Sequence, residues 1–268
     1  MPEGPEVKIA SDFFNDFFDK KLDIKFEIIT EYYNDKYSNV FKSISNNLHP
    51  GFTPTFTIGK NLFIKLKNNK LFNFHLGMTG GWSKTLVKHC HFRIYNKKQE
   101  LFFLDVRKFG KMKIIEKSDF TKNFNHEYDL LNKSYNFKKH LKYLEDTISK
   151  TRSICSAIMD QKKFPGVGNY IKSESLYKSK IHPETKWGNL NQKTKQKIIR
   201  NIKNVMQESY ILGGAELKNF SNPFQQSKFH LEIYGKKITK NNNPIKSIKT
   251  SDQRKSWICP REQPLNVK

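Results

Sequence analysis

The apolar positions at the start of the chain follow a helical period. Val7, Ala10, Phe13, Phe14, Phe17 and Phe18 fall on one face of residues 3–19, the stripe of an amphipathic helix. Pro2 suits the start of such a helix, and Glu3 and Glu6 suit the positive end of its dipole. From about residue 22 to 115 the period shortens. Ile24–Ile29, Phe56–Leu66, Leu71–Leu76, His91–Tyr95, Leu101–Leu104 and Lys111–Ile115 are short alternating runs punctuated by Gly, Asn and Pro. They predict a β-sandwich or barrel. The polar, Asn-rich stretch 121–133 reads as a linker. Beyond it the helical period returns over 137–150, 151–161, 169–179 and 191–209. Residues 229–268 carry two short strand-like runs around a Lys- and Asn-rich turn. There is no internal repeat. The pattern predicts an α+β chain: an N-terminal β-sandwich domain with a leading helix (1–124), a linker (125–132), a helical domain (133–228) and a terminal hairpin (229–268).

Charge narrows the partner. The 268 residues include 49 Lys plus Arg against 25 Asp plus Glu, a formal net charge of +24, which points to a polyanion such as nucleic acid. A hydrophobic share of 36% with 22 Phe excludes a wholly disordered chain. No apolar stretch approaches the roughly 18 residues of a membrane span, and the start lacks the layout of a signal peptide. The expectation is a soluble, intracellular protein with no membrane partner. Cys90, Cys155 and Cys259 have no CxxC spacing, so no disulfide framework is expected. Only Arg93, Arg107, Arg152, Arg200, Arg254 and Arg261 are arginines; every other basic residue is Lys. An Arg in this background is informative, because only Arg offers a rigid fork of donors.

Three places carry candidate chemistry. Met1 precedes the small residue Pro2 and suits removal, which exposes a secondary amine. An α-amino group titrates near pH 8, so part of it is a neutral nucleophile at neutral pH. Attack on a sugar C1′ gives a Schiff base, and Glu3 beside it could move protons. The plain alternative is that these residues only start a helix. Lys60 shares the parity of Phe56, Ile58, Leu62, Ile64 and Leu66, so it either snorkels at a strand end or aims a cation at a phosphate. Phe164-Pro165-Gly166-Val167-Gly168-Asn169 joins two expected helices. Its backbone N–H groups could cradle a phosphate, with Asn169 at the N-cap, or it is an ordinary corner.

Several motifs in order resemble the formamidopyrimidine-DNA glycosylase/endonuclease VIII family of base-excision repair enzymes. They are Pro2-Glu3-Gly4-Pro5-Glu6, Lys60, His75-Leu76-Gly77-Met78-Thr79-Gly80, His89-Cys90-His91, and Asp105-Val106-Arg107-Lys108-Phe109-Gly110. Met159-Asp160-Gln161 through Pro183, Gly213-Gly214 and Ile233-Tyr234-Gly235 follow. The resemblance implies a helix–two-turns–helix module in the helical domain and a DNA-binding terminal hairpin. It implies a glycosylase and β,δ-elimination AP lyase acting as a monomer on damaged DNA, double- or single-stranded. By motif, Pro2 is the Schiff-base nucleophile, Glu3 the general acid/base and Glu6 a support. Lys60 holds a phosphate near the lesion, and His75, Asn169 and Arg254 bind DNA. Met78, Arg107 and Phe109 match the trio that fills the gap left by the flipped nucleotide; the plain alternative for Met78 and Phe109 is core packing.

The terminal hairpin departs from the family pattern. Four Cys usually hold zinc there, but the matching positions are Asn241, Pro244, Cys259 and Glu262. No zinc and no other cofactor is expected, and the hairpin resembles the zincless finger of the endonuclease VIII-like branch. On a strand His89 and His91 face one side and Cys90 the other, and the run resembles an ordinary strand of the family, so no metal is expected there. The missing ligands, the Asp-Val-Arg variant around Arg107 and a shortish Gly214–Tyr234 segment favour oxidised pyrimidines as substrate. The alternative is a preference for 8-oxoguanine and formamidopyrimidines. A non-catalytic DNA-binding relative is a third reading, against which stands the retained Pro2-Glu3 pair. A metal nuclease lacks a carboxylate cluster of suitable spacing.

Overall fold

A computed structural model describes residues 1–216 and 226–265. They divide into two compact units: the first holds residues 1–2, 6–124, 216 and 226–227, the second residues 3–5, 125–215 and 228–265.

The first unit is a pair of four-stranded antiparallel sheets. One sheet runs in the order β1 (Lys25–Ile28), β6 (Cys90–Tyr95), β7 (Glu100–Leu104), β5 (Gly81–Ser83). The other runs β2 (Thr55–Ile58), β3 (Asn61–Lys65), β4 (Lys70–His75), β8 (Lys111–Glu116). Alternation puts Phe72 and Phe74 of β4 on one face, where they meet Phe92 and Phe103 of the facing sheet; the Phe74 and Phe103 rings lie 4.6 Å apart. Val7, Phe14 and Phe18, in and just after α1 (Gly4–Phe17), close the same core. Each fully buried aromatic contributes on the order of 1.5–3 kcal/mol from lost apolar exposure. The indole N–H of buried Trp82 donates to the Ala10 carbonyl at 3.0 Å, so its polar edge is not stranded.

Two sequence expectations fail here for physical reasons. First, Glu31–Asn47 is a helix, α2, inside the stretch expected to be all strand. Its buried residues Tyr33, Tyr37, Phe41 and Ile44 recur at helical spacing, but aromatic, β-compatible residues supply most of that stripe. Second, Phe56–Leu66 is a hairpin. Ile58 pairs with Asn61 across a two-residue turn, Gly59-Lys60, and Gly59 has φ +59°, the conformation a type II′ turn requires at its first central position. The turn inverts the parity. Ile58 and Phe63 pack outside with Leu71 and Ile115, whereas Leu62 and Ile64 point into the main core. Lys60 is therefore a turn residue, not the one cation on an apolar strand face. Helix α3 (Lys117–Asn123) and the residue after it cover that outer cluster, Phe120 and Phe124 lying 5.1 and 5.0 Å from Phe63.

The second unit is built on α4 (Phe137–Thr147), α5 (Ile154–Met159), α6 (Asn169–Ser179) and α7 (Gln192–Ile211). Asn136 and Asn191 cap α4 and α7 by accepting from the N–H of Lys139 and Thr194, satisfying donors that a helix start leaves open. Helix α6 is the central helix, buried almost all round. Its buried Glu174 accepts from the N–H groups of Glu232, Ile233 and Tyr234 at 3.0, 3.0 and 2.8 Å. That carboxylate fixes the segment leading to the hairpin of β9 (Lys246–Lys249) and β10 (Lys255–Ile258). Among the described residues no helix is long and apolar enough to cross a membrane.

Candidate active site

Glu3 is buried against the start of α6. Its two carboxylate oxygens accept from the backbone N–H of Tyr170 at 3.0 Å and of Ile171 at 3.4 Å. These are first-turn donors with no partner inside the helix, and the dipole end favours the anion. The fit is tight. Gly168, the N-cap, has φ −134°, extended backbone open to any residue, so conformation does not require glycine there. Space does: a Cβ would sit 2.3 Å from Glu3 Cδ. The same loop holds the chain start, Gly4 N–H donating to the Gly166 carbonyl at 2.8 Å. One expectation changes. Asn169 is the first residue of α6 rather than its cap, which is Gly168, and the first-turn N–H groups of Tyr170 and Ile171 meet Glu3. Pro2 directly precedes Glu3 and is buried; Glu6, in the first turn of α1, is buried too.

In the first unit, His75, Met78, Arg107 and Phe109 line one cleft of about 1080 Å³, together with Met1. Lys60 borders it: its neighbour Asn61 lines the cleft and pairs with His75 in the β3–β4 ladder. Burial first, and then the charges of Lys60 and Lys111, hold His75 below its ordinary pKa. The imidazole is therefore neutral near pH 7. Its Nδ1 accepts from the Gly77 N–H at 3.0 Å, which leaves Nε2–H as a donor. Arg107 and Phe109 project from the loop after β7. The guanidinium lies 4.6 Å above the Phe109 ring, and Phe109 is 46% exposed. Sequence reasoning missed Lys36, Lys108, Lys111 and Lys113, which also line the cleft. With so many Lys, only the alternation of exposed Lys111 and Lys113 about buried Met112 marks any of them.

In the second unit Asn169 and Arg254 come together. Asn169 Nδ2 donates to the carbonyl of Lys255 at 2.8 Å, the residue after Arg254. The turn that presents Arg254 is pinned to α6 by an ion pair, Lys172 Nζ to Asp252 Oδ2 at 2.6 Å, whose side chains are 0% and 4% exposed. Arg254 itself is exposed.

The four positions that match the family's zinc ligands do not fit zinc. Glu262 Oε1 accepts from Thr239 Oγ1 at 2.9 Å and from the amides of Asn243 and Asn241 at 3.1 and 3.5 Å. Its Oε2 accepts from the Tyr177 hydroxyl at 3.1 Å. The Asn243 bond leads the set that holds the Glu262 carboxyl below its ordinary pKa. One thiol and one engaged carboxylate fall short of the roughly four donors zinc takes. Among the described residues no group of three or more His, Cys, Asp or Glu is placed to hold a metal.

Comparison with known proteins agrees with this architecture. Residues 1–112 match the formamidopyrimidine-DNA glycosylase N-terminal domain and residues 131–221 the formamidopyrimidine-DNA glycosylase H2TH domain. A formamidopyrimidine-DNA glycosylase of Rickettsia canadensis is 32% identical over 215 residues, 75% of this chain and 77% of the relative. One of Zymomonas mobilis is 31% identical over 186 residues, 61% of this chain and 63% of the relative. In that second alignment the chain spans under two thirds of its relative's length. Among solved structures, a Lactococcus lactis Fpg variant in complex with a Fapy-dG-containing DNA superposes with a TM-score of 0.81 at 22% identity, over 98% of this chain and 100% of that one. The chain belongs to the formamidopyrimidine-DNA glycosylase family.

Proposed function

We propose that the protein is a DNA glycosylase and AP lyase that excises oxidised bases through a Schiff base with Pro2. The observation that carries this is the Glu3 carboxylate, one residue from the candidate amine and fixed by two backbone donors of α6. A carboxylate so held is preorganised for proton transfer. The Pro2 nitrogen, free once Met1 is removed, attacks C1′ and the damaged base leaves, taking a proton from solvent. Glu3 accepts the N–H proton and returns it to O4′ as the C1′–O4′ bond breaks, and the iminium so formed acidifies the adjoining C2′–H. Proton loss there expels the 3′ phosphate, and a second elimination expels the 5′ phosphate. Lys60, His75, Asn169 and Arg254 bind the flanking phosphates. Met78, Arg107 and Phe109 fill the gap in the duplex. No metal takes part in this scheme, in keeping with the donor set around Glu262.

Of the two substrate preferences, ring-opened and oxidised purines have the better support. The relatives above carry the name formamidopyrimidine-DNA glycosylase, and the Lactococcus structure holds Fapy-dG DNA. Part of the support for pyrimidines is the shortish Gly214–Tyr234 segment, whose residues 217–225 lie outside the described residues. A cleavage panel of duplexes decides between them. Formamidopyrimidine and 8-oxoguanine should be cut faster than thymine glycol and 5-hydroxycytosine; the reverse order restores the pyrimidine reading.

A further inference from the structure

We propose that Thr79 and Asp105 are positioning residues that lock two loops into one rigid wedge for entering the DNA stack. The inference rests on the glycosylase reading above. One loop, between β4 and β5, carries Met78. The other, between β7 and β8, carries Arg107 and Phe109. Asp105 opens this second loop and is 0% exposed. Its Oδ1 accepts from the Thr79 hydroxyl at 2.6 Å and its Oδ2 from the Gly110 N–H at 2.7 Å. Thr79 Oγ1 in turn accepts from the Arg107 N–H at 3.1 Å. One hydroxyl is thus donor to the buried carboxylate and acceptor from the backbone that bears Arg107. Charge-assisted bonds of this kind are short and strong.

Backbone contact completes the lock. A Cβ on Gly77 would sit 2.5 Å from the carbonyl carbon of Phe109, so the loops touch with no side chain between them. The Tyr37 hydroxyl donates to the Gly110 carbonyl at 2.9 Å, tying the joint to α2. The tips stay outside this network, with Arg107 and Phe109 exposed and stacked on each other.

Side chains that unstack a duplex work against a few kcal/mol per step. Loops free to move apart would give way under that load. Fixed together, they hold Met78, Arg107 and Phe109 at constant spacing. Neither Thr79 nor Asp105 touches DNA in this account; both act through the tips.

The test uses the full chain with Thr79→Val, which keeps shape and removes the hydroxyl, and Thr79→Ser, which restores it. Three readouts are taken: single-turnover excision from a lesion duplex, cleavage at an abasic site in a single strand, and fluorescence of a 2-aminopurine opposite the lesion. A single strand has no paired partner and so no duplex gap to fill. Thr79→Val should lose about tenfold or more on the duplex, the scale of a misplaced group. It should keep single-strand cleavage and fail to brighten the probe, while Thr79→Ser behaves as wild type. Equal loss on both substrates, no loss on the duplex, failure of serine to rescue, or failure of the valine variant to fold would each overturn the proposal. Wild-type protein that brightens the probe without cleaving would end the glycosylase reading while leaving the wedge supported.

Discussion

Glu3→Gln is expected to remove base excision while leaving DNA affinity intact. The side chain is nearly isosteric, and its amide oxygen can still accept from the Tyr170 N–H that now meets Glu3 at 3.0 Å. What it cannot do is take up and return a proton. General acid–base catalysis is worth about 10²–10⁴-fold, and the single-turnover excision rate should fall by that much. Gly168→Ala should produce a loss of the same kind without altering the carboxylate's chemistry. A Cβ placed 2.3 Å from Glu3 Cδ must displace the group, while the backbone at φ −134° accepts alanine without strain. Excision rates for both variants, set beside duplex affinities and melting temperatures, check the pair. Full activity in Gly168→Ala would show that the observed seat of Glu3 is not the working one.

Arg254→Ala should weaken binding to damaged duplex by about tenfold to a hundredfold, the 1.5–3 kcal/mol of a hydrogen bond to a charged group. Folding should survive, because the turn is held by backbone. The Arg254 N–H donates to Asp252 Oδ1 at 3.2 Å, and its carbonyl accepts from the Thr250 N–H at 3.0 Å. Lysine at 254 should recover only part of the loss, since a point charge lacks the planar fork. Affinity measured between about 50 and 200 mM salt should show the slope of log K falling by about one in the alanine variant. An unchanged affinity and slope would remove Arg254 from the interface.

The sequence carried the architecture where periodicity is strong. The Phe-rich stripe of α1 and the apolar faces of α4 and α7 bury against cores, so their patterns are written in residue type. Helix α2 was illegible because Tyr33, Tyr37 and Phe41 suit a strand as well as a helix. One glycine separates Lys60 from the parity of its apolar neighbours, since a two-residue turn at Gly59 flips every later side chain to the other face. Order and spacing of motifs revealed the family, and Glu3 and Asn169 stood out within them. What could not be read was the polar wiring. The contact between Glu3 and α6 spans 167 residues, and the Thr79–Asp105 bond spans 26. Such hydrogen bonds leave no periodic trace. The cationic cleft was hidden by abundance, because one more Lys says little in a chain so rich in them.

The central claim is a covalent bond between the Pro2 nitrogen and C1′ of the damaged nucleotide. Borohydride trapping on an abasic duplex tests it most directly, since reduction of the iminium fixes protein to DNA. Protein shown by mass spectrometry to begin at Pro2 should be trapped, with the deoxyribose remnant on Pro2 itself, and protein retaining Met1 should not. No trapping by the processed protein, or equal trapping with Met1 in place, would contradict the account.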